Sequence, residues 1–296
     1  MREHFSKTAD VGLPDIGGMP SNRIDPPPLG PRYGVDAPAI PAVLGAAGVA
    51  CGVAAARWRP GRAAAGTAAA VLLASTGVYL HTTLRGKLRI WERELDRAAL
   101  KGDERLLDLG CGRGAVLIQA ARLLSSGRAV GVDLWSGKDQ SGNSPEATLA
   151  NAAAAGVADR VEVRTADITA LPFQDDSFDV VTSALVIHNI PSPEVRYRAV
   201  DEAMRVLRPG GQLLIVDPWW MARKYAEHIG QGTLRGLGPG YWYGGPWFGT
   251  ALLHAVKEGY GGIRLVQRRS AANLVSGGLL PGGRYDPPAR SALAGG

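Results

Sequence analysis

The chain of 296 residues contains only two cysteines, Cys51 and Cys111. Cys51 lies in an apolar run and Cys111 in a glycine-rich loop, which argues against a disulfide framework and favours a reducing compartment. The five histidines lack the pairing typical of metal ligands, so we predict no metal site. Near the N-terminus, no charged start is followed directly by an apolar stretch, which argues against a signal peptide.

Charge is unevenly distributed along the chain, although the net charge is +6. Residues 101–260 are slightly acidic, whereas positive charge is concentrated in residues 38–100 and 261–296. The central part therefore lacks the basic surface expected of a nucleic-acid-binding domain, and no nucleic-acid partner is predicted. Basic residues beside apolar segments favour contact with an anionic membrane surface, with a solvated arginine-rich surface as the alternative.

Both ends of the chain are rich in proline and glycine and show no apolar periodicity. We therefore predict a disordered N-terminal segment over residues 1–36 and a disordered basic tail over residues 261–296. Between them, residues 37–84 are strongly apolar and residues 85–260 have the pattern of a folded domain.

Residues 37–56 and 63–84 are two runs without Lys, Arg, Asp or Glu, separated by the basic turn 57–62. Each run is long enough to cross about 30 Å of hydrocarbon as a helix, so residues 37–84 are predicted to form a membrane-spanning or membrane-dipping hairpin. Two alanine-rich soluble helices are the alternative. We expect a membrane location with the following domain facing the cytoplasm. Basic residues after the second run obey the positive-inside tendency, but the arginines of the turn oppose it unless the hairpin dips into one leaflet.

After an amphipathic helix over residues 86–100, strand and helix patterns alternate. Strands are predicted at residues 105–109, 129–133, 161–165, 178–184 and 212–216, and helices at residues 115–124, 144–155 and 193–207. Two closing strands are predicted at residues 234–243 and 248–257. This alternation predicts an α/β fold: a Rossmann-like, doubly wound, mostly parallel seven-stranded sheet.

The densest motif is the sequence from Leu106 to Gly114, in which an apolar strand runs into an acidic, glycine-spaced loop with a helix behind it. The glycines let the backbone approach a ligand closely. The spacing differs from that of dinucleotide-binding loops. Asp108 at the loop entrance would repel a pyrophosphate but suits a cationic ammonium or sulfonium group.

Acidic residues follow the next two strands of the predicted sheet. Asp133, with Leu134 beside it, ends the second strand, where a carboxylate accepts hydrogen bonds from both ribose hydroxyls. Asp167 follows the third strand and would accept from an adenine amino group, with Ile168 packing on the ring. The fourth strand runs through Ser183 to the carboxyl edge of the sheet, where open α/β sheets bind ligands.

This ordered series resembles the class I S-adenosylmethionine-dependent methyltransferases, and its pattern is most similar to the ubiquinone/menaquinone C-methyltransferase-like group, here preceded by a membrane hairpin. The resemblance implies S-adenosyl-L-methionine as cofactor, with Asp108 orienting its amino group. It implies the following further cofactor-binding residues: Gly110, Gly112 and Gly114 around the methionyl end, Asp133 and Leu134 at the ribose, Asp167 and Ile168 at the adenine, and Ser183 beside the methionyl group. It also implies that Asn189 lies near the substrate.

The predicted function is transfer of a methyl group to a small acceptor. A membrane tether raises the effective concentration of acceptors in the membrane, which favours a lipophilic acceptor. His188 is the candidate general base, with a structural histidine as the alternative, and residues 241–247 line an acceptor pocket or form a turn. Three further alternatives are a soluble acceptor, a non-catalytic nucleoside-binding membrane protein and a nicotinamide-dependent oxidoreductase. Because every cofactor motif lies beyond residue 105, removing residues 1–84 is predicted to preserve cofactor binding.

Overall fold

The computed structural model describes residues 32–259. The predicted tail over residues 261–296 and most of the predicted N-terminal segment therefore lie outside the described residues. Residues 32–36, which the sequence assigns to that segment, belong to the folded part: Arg32 and Val35 donate backbone hydrogen bonds to Asn151 and Ser141, at 2.8 Å and 2.9 Å.

Seven helices and seven strands make up most of the described residues. The helices are α1 (Ala39–Arg57), α2 (Arg62–His81), α3 (Lys87–Ala98), α4 (Ala115–Leu123), α5 (Pro145–Ala154), α6 (Pro193–Val206) and α7 (Trp219–Ile229). The strands are β1 (Arg105–Leu109), β2 (Arg128–Asp133), β3 (Val161–Thr165), β4 (Phe178–Ala184), β5 (Leu207–Pro218), β6 (Thr233–Gly236) and β7 (Thr250–Val256).

The strands form a seven-stranded sheet in the order β3-β2-β1-β4-β5-β7-β6. Strands β1 to β5 pair in parallel, and β7 is antiparallel to both of its neighbours. This confirms the predicted seven-stranded, mostly parallel sheet. The carboxyl ends of the parallel strands meet at one edge, which places the residues that follow β1, β2, β3 and β4 close together.

The central strands are buried on both faces, as expected for a parallel sheet covered by helices. Leu106 packs in the cluster that contains Trp91 of α3 and Leu117 of α4. Leu107, one residue on, points to the opposite face and packs in the cluster that contains Phe178. Successive side chains of β1 therefore pack into two apolar layers, one on each side of the sheet.

Most predicted element boundaries are confirmed, and local chemistry explains them. Ser144 caps α5 by accepting a hydrogen bond from Ala147 N at 3.1 Å, and Gly156 follows the helix with φ of +73°. The predicted strand over residues 234–243 is wrong in extent, because β6 ends at Gly236. The next residues contain Gly238, Pro239 and Gly240, which disfavour a strand and form a short 3₁₀ turn instead.

Helices α1 and α2 form an antiparallel pair, here called the hairpin (residues 39–81), whose tip is residues 57–62. Only 11% of the most apolar stretch of α1 is buried, and 17% of that in Arg59–Ala98, the continuous helical segment that contains α2. By length and composition, both segments could cross a membrane. Small residues bring the two backbones together: a Cβ added at Gly48 would lie 2.9 Å from Leu73 Cγ. Close packing through small residues is typical of helix pairs in lipid.

The second arm of the hairpin is continuous with the domain. Helix α2 passes through a π-helical turn at Thr82–Gly86 directly into α3. Ser75 and Tyr79 of α2 and both threonines of the turn are buried against the domain. The predicted boundary at residue 84 is therefore a point within a continuous helical segment.

Candidate functional site

A cavity of about 420 Å³ opens at the carboxyl edge of the parallel strands. The structure brings most of the predicted site residues to its wall. These are Asp108, Gly110, Gly112, Asp133, Leu134, Asp167, Ile168 and Asn189. Gly114, Ser183 and His188 are adjacent in sequence to wall residues but do not line the cavity themselves.

The glycine-rich loop between β1 and α4 forms the floor of the cavity. Gly110 and Gly112 have φ of +65° and +52°, a left-handed conformation that favours glycine. Gly112 N donates a hydrogen bond to Asp133 Oδ2 at 2.8 Å, and Arg113 N donates to Gln140 Oε1 at 2.7 Å. A Cβ added at Gly112 would overlap that same Gln140 oxygen. The loop therefore depends on glycine for both its backbone conformation and its contact with Gln140.

Asp108 lies at the end of β1 and is only 2% exposed. Its carboxylate accepts hydrogen bonds from Thr182 Oγ1 at 2.7 Å and from Leu117 N, in the first turn of α4, at 3.1 Å. Burial raises the pKa of Asp108 to about 7, although both hydrogen bonds act in the opposite direction. A carboxyl group poised near neutrality therefore faces the cavity.

The end of β2 supplies a second carboxylate, Asp133, which is fixed by its neighbours. Its Oδ1 accepts from Trp135 N at 2.6 Å and from Asn143 Nδ2 at 3.1 Å. Asn143 also lines the cavity, and its Oδ1 is buried without a hydrogen-bond partner. A buried acceptor without a donor is costly, so this oxygen is suited to a hydroxyl of a bound ligand. Sequence reasoning missed Asn143, and the long polar loop after Trp135 was the only signal.

Asp167 and Ile168 follow β3 on the same wall. Oδ1 of Asp167 accepts from both the backbone N and the hydroxyl of Thr169, each at 2.8 Å, which holds the exposed carboxylate in place. Ile168 is 7% exposed and presents an apolar surface beside it. The pair offers an acceptor next to a flat apolar contact, as a purine ring requires.

The segment after β4 completes the far wall. Leu185 lines the cavity with φ of +59°, a conformation that is uncommon for a leucine. Such strain is often found at ligand sites, although the sequence gives no indication of it. Ser183, two residues earlier, is fully buried within β4, and its hydroxyl has no hydrogen-bond partner.

His188 follows in the turn that carries Asn189. Its Nδ1 lies 2.7 Å from Oδ1 of the fully buried Asp217, and its backbone N donates to Oδ2 at 3.1 Å. Tyr225 OH donates to the same Oδ2 at 3.1 Å. This network ties the turn after β4 to the end of β5.

Part of the remaining wall is the polar cluster, defined as Asp36, Lys87, Gln140 and Tyr243. Sequence reasoning did not place Asp36, Lys87 or Gln140 in the site, whereas Tyr243 belongs to residues 241–247, which it predicted to line an acceptor pocket or form a turn. Lys87 Nζ lies 2.7 Å and 2.9 Å from the two oxygens of Asp36. Tyr243 OH donates to Asp36 Oδ2 at 2.7 Å, and Gln140 Nε2 donates to Oδ1 at 3.1 Å. Through Gln140, the cluster is connected to the glycine-rich loop.

Asp36 is the centre of the polar cluster. Burial opposes its charge, but Lys87 and the hydrogen bonds from Lys87 and Tyr243 outweigh burial and hold the pKa of the Asp36 carboxyl below its ordinary value. Asp36 lies on the cavity wall, so the chain before residue 85 contributes to this cavity. The prediction that removing residues 1–84 preserves cofactor binding therefore loses its premise. The hairpin also reaches this point: Tyr79 OH donates to the Asp36 carbonyl at 3.0 Å, and its ring packs on Tyr243 with centroids 5.0 Å apart.

The charge of the wall indicates the kind of ligand that the cavity suits. Its acidic residues are Asp36, Asp108, Asp133, Asp139 and Asp167, whereas Lys87 is its basic residue and is already paired with Asp36. An acidic wall favours a cationic nucleoside and opposes the pyrophosphate of a dinucleotide. The acceptors at Asp133, Asn143 and Asp167 and the acidic Asp108 therefore fit S-adenosylmethionine. Within residues 32–259, no group of three His, Cys, Asp or Glu side chains is arranged to hold a metal ion.

Comparison with known proteins agrees with this geometry. Residues 107–215 match a family described as a methyltransferase domain. The chain is 35% identical over 130 residues to a ubiquinone/menaquinone biosynthesis C-methyltransferase of Roseobacter denitrificans, covering 44% of this chain and 48% of that protein. It is 34% identical over 129 residues to the 27-O-demethylrifamycin SV methyltransferase of Amycolatopsis mediterranei, covering 44% of each.

Among solved structures, the YcgJ protein of Bacillus subtilis aligns with a TM-score of 0.45 at 16% identity, covering 58% of this chain and 99% of that one. The chain spans about half the length of the curated relatives it matches. The stretch that matches the methyltransferase-domain family, residues 107–215, includes the glycine-rich loop, Asp133, Asp167 and β4. The match to a methyltransferase domain sets aside the nicotinamide-dependent alternative.

Proposed function

We propose that this chain, which carries an S-adenosylmethionine-dependent methyltransferase domain, is held on a membrane by its hairpin and methylates a small lipophilic acceptor. One observation supports this proposal above all others: the cavity and the hairpin root, defined as the last two turns of α2 around Tyr79, share a wall. Tyr243 lines the cavity on one side and packs on Tyr79 of α2 on the other. An acceptor held in the membrane therefore lies close to the place where the methyl group is transferred.

S-adenosylmethionine supplies an activated methyl group and leaves as a neutral thioether. We assign Asp108 to the ammonium of the cofactor, Asp133 and Asn143 to the ribose hydroxyls, and Asp167 with Ile168 to the adenine. The assignment rests on positions along the wall: Asp108 lies beside the glycine-rich loop, and Asp167 lies two strands away, after β3.

The acceptor would occupy the part of the cavity bounded by Asn189, Tyr241, Tyr243 and Lys87. Holding it in line with the methyl group contributes up to roughly 7–11 kcal/mol of barrier lowering in well-oriented systems.

For the two catalytic candidates, the geometry favours different roles. Asn189 lies on the cavity wall and is exposed to it, which suits contact with the acceptor. His188 lies outside the wall with its Nδ1 held by Asp217, which favours a role in positioning the turn that carries Asn189.

The hairpin supports the membrane part of the proposal. Its outward side chains are apolar, including Val43 at 67% exposure and Val49 at 59%. We place the domain on the cytoplasmic face because Arg85, Arg89 and Arg93 are exposed just after the second arm. The arginines of the tip, at the other end, oppose this tendency.

Excising the outer hairpin tests the acceptor class. Residues 46–74 would be replaced by a short Gly/Ser linker, which keeps Asp36 and Tyr79 and hence the cavity wall. We expect a protein that leaves the membrane fraction and binds S-adenosylmethionine as before. Its methyl transfer to acceptors in lipid vesicles should fall by roughly 10²-fold or more, because it no longer shares their two-dimensional layer.

The measurement is transfer of labelled methyl to fractionated membrane lipids and to soluble metabolites, by the full chain and the excised variant. Should both proteins methylate a soluble metabolite equally well while neither labels the lipid fraction, the acceptor is soluble. Full-length protein that stays in the supernatant after high-speed centrifugation without detergent would contradict the anchor.

Asp108 predicts a pH dependence of cofactor binding. Its pKa in the free protein is raised to about 7, so below that pH the carboxyl is mostly protonated and cannot pair with an ammonium. Binding the cation requires the proton to leave, so affinity should fall by up to about tenfold for each pH unit below 7. Calorimetry from pH 5.5 to 8, in buffers of different ionisation enthalpy, would measure both the affinity and the released proton. Asp108→Asn should bind weakly and with little pH dependence, and a wild-type affinity that does not change over this range would remove Asp108 from the ammonium site.

A further inference from the structure

The aromatic loop, residues 241–249, lies at the carboxyl edge of the sheet and beside the hairpin. It precedes β7, which runs antiparallel to β5, so it lies at the same edge as the end of β5 and the start of α7. Gly244 is close to the Ser75 carbonyl of α2, and Thr82 Oγ1 donates to the Trp242 carbonyl at 2.6 Å. The aromatic loop therefore lies beside the last two turns of α2, level with Ser75 along the helix axis.

Two tryptophans project from this region into solvent. Trp247 is 65% exposed and Trp219, at the start of α7, is 53% exposed. The Trp219 backbone N donates to the Gly249 carbonyl at 3.2 Å, so the two side chains belong to one surface. Tryptophan is highly buried on average in water-soluble domains, and it is enriched where a protein meets the membrane interface.

The length of the hairpin decides how close this surface comes to the bilayer. From Ser75 onward one face of α2 packs on the domain: Ser75 and Tyr79 are buried, whereas Val78 on the other face stays exposed. Only residues 62–74 of that arm therefore stand clear of the domain, and they extend about 20 Å at roughly 1.5 Å per residue. The hydrocarbon core is about 30 Å thick. The tip carries Arg57, Arg59 and Arg62, and an arginine is unfavourable within the core. The tip of a hairpin that crosses the core therefore reaches the far interface, and the free arm is too short to do so with the domain standing clear of the membrane.

From these lengths we infer that the catalytic domain is drawn into the near interface, with Trp247 and Trp219 immersed among lipid headgroups and upper acyl chains. This inference rests on the proposed membrane anchor. The occupant of the surface is the lipid bilayer, because the surface is continuous with the hairpin and Leu84 and Arg85 beside it are also exposed. The cavity wall at Tyr243 then lies at the level of the headgroups, where an amphiphilic acceptor keeps its polar end.

Lipid-dependent fluorescence quenching tests this immersion. The full chain, with Cys51→Ala to remove the accessible thiol and Cys111 left buried, would carry one introduced cysteine labelled with nitrobenzoxadiazole. Trp247→Cys reports on the aromatic loop, and Val49→Cys, at a side chain that is 59% exposed, reports on the middle of α1. Ser126→Cys is the matched control, because it is exposed at the opposite edge of the sheet, before β2. The proteins would be reconstituted in vesicles of phosphatidylcholine and phosphatidylglycerol containing lipids with a nitroxide at a shallow or a deep acyl position.

We expect the probe at position 247 to lose at least half of its emission with the shallow nitroxide and less with the deep one. The probe at position 49 should show the reverse order, and the probe at position 126 should be unaffected. Quenching at position 49 without quenching at position 247 would overturn the immersion and leave the anchor intact. Absence of quenching at both positions would overturn the anchor itself. A blue-shifted but unquenched probe at position 247 would show that protein, such as a second copy of the chain, covers this surface, and would also overturn the inference.

Discussion

Gly112→Val is expected to weaken S-adenosylmethionine binding by more than about 100-fold while the domain stays folded. Gly112 has φ of +52°, and a left-handed conformation costs a residue with a Cβ roughly 1–2 kcal/mol, more for a branched one. The larger effect comes from Gln140, whose amide oxygen occupies the place of the added Cβ and receives the Arg113 N–H at 2.7 Å. Displacing Gln140 distorts the loop that forms the floor of the cavity.

Calorimetric titration with the cofactor and the melting temperature of the detergent-solubilised protein would separate binding from folding. Gly156→Val is the matched control, because Gly156 has φ of +73°, no atom lies within 4 Å of its added Cβ, and it lies outside the cavity wall. It should suffer similar backbone strain and keep its affinity. Normal binding by Gly112→Val would contradict the loop assignment, and equal loss in both variants would show that the effect is global.

The sequence predicted the half of the site that is built from strand ends. Asp108, Asp133 and Asp167 each follow an apolar strand directly, and parallel topology brings such ends to one edge. The local pattern was therefore enough to place these carboxylates on a common wall, as the structure finds. The sheet was predictable for the same reason, since its strands and helices alternate with distinct periodicities.

The other half of the site depends on contacts between distant parts of the chain. Asp36 lies in a proline- and glycine-rich stretch, and Lys87 is 51 residues away within a basic helix. Tyr243 lies 207 residues from Asp36. Nothing in the local sequence marks these residues as partners: Asp36 and Lys87 each have an ordinary solvent-exposed explanation, and the pocket-or-turn prediction for residues 241–247 names no partner for Tyr243. Because the local sequence does not reveal these long-range contacts, it predicts that residues 1–84 are dispensable for cofactor binding. In the structure, such a deletion removes one side of the cavity.

Asp36 holds that side of the cavity together through its contacts with Lys87 and Tyr243. Asp36→Ala should lower the free energy of unfolding by about 3 kcal/mol, because it leaves Lys87 charged and nearly buried without its partner. The side chains of Lys87 and Asp36 are 7% and 22% exposed, so water compensates only in part. For a domain of this size the melting temperature should fall by about 2–4 °C per kcal/mol. Cofactor binding should weaken as well, since Gln140 loses the anchor for its amide.

Thermal unfolding of the solubilised protein, with and without cofactor, would measure both effects. Lys87→Met in the Asp36→Ala background should recover most of the lost stability, because it removes the unpaired charge and keeps the bulk of the side chain. Glu227→Ala is the matched control, because it breaks an exposed ion pair. The side chains of Arg223 and Glu227 are 65% and 60% exposed, and exposed pairs contribute only about 0–1 kcal/mol. If Asp36→Ala costs no more than Glu227→Ala, or if Lys87→Met fails to restore stability, the polar cluster is not what holds the hairpin root against the cavity.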